Sequence, residues 1–157
     1  MIKHLGFRGY ISSRNVLDNR VPQHVQNLVI RDYCASQNMH FLLSVTEYAM
    51  PNCYIMLEHA LKEAVNNQGV VLYSLFQLPR NSEKRNRIYN LILENQIEIH
   101  AALEGLVIKD KESVQRVEDI WLVQQTVCPD YSREVRTGPS GKSNNGFFSG
   151  FLDYGRN

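Results

Sequence analysis

Four times along this chain a short run rich in β-branched and aromatic residues gives way to a longer segment with apolar residues at helical spacing, and few folds accommodate that alternation. HLGFRGYIS (4–12) reads as a first strand, and VPQHVQNLVIRDYCASQN (21–38) as a helix with Pro22 near its first turn and Val25, Leu28, Val29 and Tyr33 on one face. HFLLSVT (40–46) is apolar on both faces, as a strand covered by helices on both sides would be. PNCYIMLEHALKEAVNN (51–67) predicts a second helix with a stripe of Ile55, Met56, Leu57, Ala60, Leu61 and Ala64, and QGVVLYSL (68–75) a third strand. SEKRNRIYNLILENQ (82–96) predicts a helix with Ser82 as N-cap, and IEIHAALEG (97–105) a fourth strand. DKESVQRVEDIWLVQQTV (110–127) predicts a last helix with Val114, Val117, Ile120, Trp121 and Val123 on its apolar face. The fold class expected is α/β, a small doubly wound, mostly parallel four-stranded sheet with a C-terminal helix and an irregular tail.

At 157 residues the chain has room for one domain with a real core and not for two ordinary ones. The expected division is a single α/β domain over 1–127 and a tail over 128–157, where Gly, Ser, Asn and Pro replace the periodic pattern. Phe147, Phe148, Phe151 and Tyr154 are costly to leave in water, so the tail is expected to dock irregularly on its own domain or on a second subunit, and a homo-oligomer is expected.

A formal net charge of +1 supplies no field of the strength that grips nucleic acid, so nucleic acid is not an expected partner. The N-terminus lacks an uninterrupted apolar stretch of signal-peptide type, and no apolar run is long enough to span a bilayer. Three scattered cysteines, Cys34, Cys53 and Cys128, suit a reducing compartment rather than a disulfide framework, so the protein is expected in the cytoplasm. No CxxC or HExxH spacing is present, and neither a metal nor a cofactor is expected.

Ligands of open α/β sheets bind beyond the carboxyl ends of the strands. The loop after strand one offers Ser12, Ser13, Arg14, Arg20 and Gln23; the loop after strand two, Glu47, Tyr48 and Cys53; the loop after strand three, Ser74, Gln77 and Arg80; the last, Glu104. Two hydroxyls and a guanidinium ahead of a helix suit an anion, although Ser12 and Ser13 alone need only turn and cap the chain. With Arg20, Gln23 and Arg80 converging from neighbouring loops, an anionic ligand and the capping role stand level. Glu47, just past a buried strand, suits a general acid or base, and equally an ion pair with Arg14 or Arg80. Cys53 opens a helix where a thiolate is favoured, but no histidine adjoins it in sequence, and a small semi-buried residue is the simpler reading. His100, alternating within strand four, reads as a core histidine; Trp121 reads as core or interface.

The stretches GYISSR and LFQLPR, with the helices between them, resemble the catalytic domain of the serine recombinases (resolvases and invertases) over about residues 6–108. The resemblance implies a flavodoxin- or resolvase-like scaffold. In that family a Tyr-x-Arg-Val-Ser element ends strand one, where this chain has Tyr10, Ile11, Ser12, Ser13 and Arg14. Ser12 stands at the first catalytic arginine and Arg14 at the nucleophile; Phe76 and Gln77 replace an Asp-Arg pair, and only Arg80 is kept. A phosphoryl-transfer site stripped of those guanidinium groups should not cleave DNA. GYISSR, VPQHVQNLVIRDYC, TEYAMPNCYIMLE and YSLFQLP more closely resemble the bacterial sporadic carbohydrate cluster proteins, which implies a role in surface-polysaccharide biosynthesis, in capsule or lipopolysaccharide, and identifies no catalytic residue.

Two functions compete on these grounds. In the first, a small enzyme acts on a phosphorylated or nucleotide-activated sugar: Ser12, Ser13, Arg14 and Arg80 hold the anion, Gln23 and Gln77 bind hydroxyls, and Glu47 is the general acid or base. In the second, a non-catalytic accessory protein binds such a ligand or docks on a glycan-pathway enzyme through its aromatic tail.

Overall fold

Gly69–Leu72, the strand β3, is buried along its whole length and forms the middle of the sheet. The computed structural model describes residues 5–64 and 68–127. In chain order the elements are β1 (Phe7–Ile11), α1 (Gln23–Ser36), β2 (Phe41–Thr46), α2 (Ile55–Glu63) and β3, then a short 3-10 turn (Leu75–Gln77), α3 (Ser82–Asn95), β4 (Glu98–Ala101), β5 (Leu106–Ile108) and α4 (Lys111–Val127). The described residues up to Trp121 belong to one compact unit; those from Leu122 continue α4 to Val127 and fall in a second. The expected tail of 128–157 lies outside the described residues.

The strands lie in the order β2-β1-β3-β4-β5. β1 runs parallel to both β2 and β3, and β3 parallel to β4. The chain leaves β1 towards β2 and then crosses back to β3 on the other side, so the direction of winding reverses between β1 and β3. Loops that leave those two strands diverge, and a crevice opens at their carboxyl ends. At Gly69 an added Cβ would stand 2.0 Å from the Glu98 carbonyl oxygen, so the close approach of β3 to β4 admits no side chain there.

The doubly wound, mostly parallel sheet agrees with the sequence, but it has five strands rather than four. IEIHAALEG is not one strand: β4 ends at Ala101, a turn carries Gly105 at φ +62°, and β5 returns antiparallel with Ile99 opposite Ile108. β2 is an edge strand, and its Leu43 is 81% exposed, so its apolar run does not signal cover on both faces.

Two cores flank the sheet. The larger, under α2, α3 and α4, joins Tyr10, Val45, Leu57, Leu61, Leu72, Ile88, Ile92 and Trp121. The smaller, under α1, joins Phe7, Ile30, Cys34 and Val71. On α1 the buried face is Gln26, Ile30 and Cys34, and the expected Leu28 is exposed. In α2 the stripe holds for Leu57, Ala60, Leu61 and Ala64, whereas Ile55 is exposed. Asn81, not Ser82, caps α3, its Oδ1 accepting the Lys84 amide at 3.0 Å. His100 is a core histidine bonded to the Tyr33 hydroxyl at 3.1 Å and to Glu98 at 3.0 Å.

Candidate functional site

A buried chain of side-chain amides binds the loops after β1 and β3 together. Gln26, on the first turn of α1, donates through Nε2 to the carbonyls of Ser12 (2.7 Å) and Val21 (2.8 Å). Its Oε1 accepts from the Ser12 amide at 3.1 Å and from Gln77 Nε2 at 2.9 Å. Gln77 Oε1 accepts from the amides of Tyr73 (2.8 Å) and Ser74 (3.4 Å). The Ser74 hydroxyl donates to Glu104 Oε1 at 2.6 Å, and the Leu75 amide donates to Glu104 Oε2 at 2.9 Å. These bonds fix the ends of β1, β3 and β4 against one another, and each buried polar group in the row has a partner.

Glu47 forms a second anchor. Its carboxylate, on a side chain only 3% exposed, accepts from the Tyr10 hydroxyl, the Tyr48 amide, the Cys53 thiol and the amides of Met56 and Leu57. Placing a carboxylate at the amides that open α2 satisfies donors with no partner inside the helix and complements the helix dipole. Glu47 therefore pairs with neither Arg14 nor Arg80: Arg14 reaches it only through Tyr10, whose hydroxyl accepts from Arg14 Nη2 at 2.6 Å and donates to Glu47 at 3.2 Å. Burial, the largest influence, raises the Tyr10 pKa, and the phenol stays protonated. Arg14 also donates to the Cys53 carbonyl and lies over the Tyr54 ring, 4.2 Å from its centroid.

In front of these anchors lies a cleft of about 210 Å³ lined by Ser12, Arg14, Asn15, Asn52, Tyr54, Phe76, Gln77, Leu78 and Arg80. It sits at the crevice between β1 and β3. Arg80 is exposed and makes a long ion pair of 3.8 Å with Asp18. Asp18 is held on the rim by a tight turn in which Leu17 and Asp18 have φ of 48° and 65° and the Val16 and Asn19 amides and carbonyls bond reciprocally.

Of the expected site residues, Ser12, Arg14, Gln77 and Arg80 meet in this cleft. Glu47 and Cys53 are buried behind it, and Ser74 and Glu104 bond to each other beside it. Ser13, Arg20, Gln23 and Tyr48 are not among its lining residues, and Tyr48 is 56% exposed. Sequence reasoning missed Asn15, Asn52 and Tyr54 as lining and Gln26 as the hub. Pro51 and Asn52, expected to start the second helix, form a turn ahead of α2 with Asn52 at φ 55°; nothing in the sequence set Gln26 apart from other helix glutamines.

Among the described residues no group of three or more His, Cys, Asp or Glu is placed to hold a metal ion, and no helix is long and apolar enough to cross a membrane. No protein-family model matches the chain, and no curated protein matches it. In fold the chain is similar to a resolvase-family site-specific recombinase from Streptococcus pneumoniae, at a TM-score of 0.58 and 10% identity, over 78% of this chain and 89% of that one. Identity that low shows the fold alone.

Proposed function

We propose that the cleft between the β1 and β3 loops binds a phosphorylated or nucleotide-activated sugar, and that the protein serves bacterial surface-polysaccharide biosynthesis, as its resemblance to the sporadic carbohydrate cluster proteins implies. The observation that carries the binding reading is the convergence of Arg14 and Arg80 with the exposed side-chain amides of Asn15 and Asn52 on one small cleft, whose floor is the buried Ser12–Gln77 row. Guanidinium groups hold a phosphate, and the amides of Asn15 and Asn52 suit sugar hydroxyls.

Calorimetric titration against sugar phosphates, nucleotide sugars, nucleotides and inorganic phosphate tests this. At least one phosphorylated sugar should bind, and Arg80→Ala should weaken it roughly ten- to a hundredfold, the cost of losing a charged hydrogen bond. Arg80 is exposed, so its loss should leave the fold unchanged. Absence of binding, or equal affinity in the variant, overturns the reading.

A second reading, a small enzyme on the same ligand, is favoured by the Arg14–Tyr10–Glu47 relay, which links the cleft wall to a buried carboxylate. Turnover abolished in Tyr10→Phe with binding retained would support it; a wild type that binds the ligand and leaves it unchanged over long incubation would remove it.

A further inference from the structure

The geometry points to a nucleoside diphosphate group as the anionic half of the ligand, with its base seated in a second compartment next to the cleft. This rests on the reading of the cleft as an anion site, and names which of its two ligand classes fits. Asn52 and Tyr54 line both the cleft and an adjoining groove of about 400 Å³ whose other walls include Met50, Ile55, Ile88, Lys84 and Arg87. At about 210 Å³ the cleft alone falls below the ~300–1,000 Å³ of ordinary small-molecule sites. Joined to the groove, it falls within that range.

Charge is arranged about the shared wall. The Tyr54 ring has Arg14 4.2 Å from its centroid and Lys84 Nζ at 5.8 Å. Lys84 also donates to the Asn52 carbonyl at 3.2 Å, which holds its ammonium at the boundary between the compartments. Arg80 lies on the cleft side and Arg87 on the groove side, where Arg87 has no ion pair among the described residues. A single phosphate needs only one of these flanks. Two adjacent phosphates laid across Tyr54 meet both, and a diphosphate is that ligand. Glu58 also lines the groove, and its negative charge disfavours phosphate deeper in. The remaining lining is apolar: Met50 and Ile55 are 60% and 61% exposed, and a flat heteroaromatic base would cover them.

The test is calorimetric titration of the full-length protein with the uridine, cytidine, guanosine and thymidine diphosphates, glucose 1-phosphate and inorganic phosphate. Wild type, Arg80→Ala and Arg87→Ala are compared. At least one nucleoside diphosphate should bind the wild type tighter than glucose 1-phosphate by roughly tenfold or more. Arg87→Ala, a change outside the cleft, should lose that advantage while binding glucose 1-phosphate as the wild type does. Wild-type affinity of Arg87→Ala for every diphosphate overturns the second compartment and leaves the anion cleft standing. If no phosphorylated compound binds the wild type, both readings fall together.

Discussion

Gln77 donates its side-chain amide to Gln26 Oε1 at 2.9 Å across 51 positions of sequence, and through that bond the loop after β3 is tied to the first turn of α1. Gln26 is fully buried, and its amide makes four hydrogen bonds, two given and two accepted. Gln26→Glu keeps the shape and removes the donors that face the carbonyls of Ser12 and Val21. The buried carboxylate must then repel those oxygens or take up a proton. A loss of about 3 kcal/mol is expected in urea denaturation at neutral pH, shrinking in acid as the new group is neutralised. Unchanged stability would mean that water substitutes for the amide.

Glu47 is legible in the sequence as a buried carboxylate and illegible in its role. Its oxygens accept from main-chain amides of Tyr48, Met56 and Leu57, so an amide in its place must turn a donor towards a donor whichever way it is set. Glu47→Gln is therefore expected to destabilise the fold by about 2–3 kcal/mol, read as a lowered denaturation midpoint with an unchanged slope. A variant as stable as the wild type would remove the anchoring role and return Glu47 to the candidates for acid–base chemistry.

The same contrast runs through the fold. Alternating strand and helix patterns are written in local hydropathy, and the mostly parallel sheet follows from them. The β4–β5 hairpin is hidden because Ala101, Ala102 and Leu103 carry the apolar run past the end of β4 while only Gly105, at φ +62°, marks the reversal. The α1 face was misread by one position because Gln26, polar by composition, is buried by its bonds and not by its hydropathy. Ser12, Arg14, Gln77 and Arg80 line one cleft because each follows the carboxyl end of a parallel strand that local hydropathy locates. Which of the neighbouring polar groups satisfy one another, as Ser74 and Glu104 do at 2.6 Å, depends on distances across 30 positions, and no local pattern encodes them.

Arg85 is 2% exposed and grips Glu118 through Nε at 2.7 Å and Nη2 at 2.8 Å, with the Tyr89 hydroxyl donating to the same carboxylate at 2.7 Å. The Arg85 hydrogen bond, the largest influence, holds the Glu118 pKa below the usual carboxylate value. A depressed folded-state pKa means that the stability from this group is complete above its unfolded value, ~4.3, and is lost as pH falls through the folded one. Glu118→Gln should flatten the acid limb of the stability curve below pH ~4.3 and, by leaving a buried guanidinium without its counter-charge, cost about 3–5 kcal/mol at neutral pH. An acid limb identical in both proteins would assign the proton uptake to another carboxylate.

His100 gives a dependence nearer neutrality. Its ring is buried, packs edge-on to Phe7 at 4.9 Å between centroids and bonds to Tyr33 and Glu98. Burial, outweighing the Glu98 carboxylate, lowers its pKa below the ordinary histidine value. Between the folded and unfolded pKa values the unfolded chain binds more protons, so stability rises with pH there. The contribution is complete above ~6.5 and declines as pH falls below it towards the folded value. In His100→Phe the ring contact with Phe7 is kept and the titration is gone. Urea denaturation just below pH ~6.5 should therefore show a slope in the wild type that the variant lacks, whatever the variant's absolute stability. The same slope in both would place the proton uptake on a different histidine and leave His100 a packing residue only.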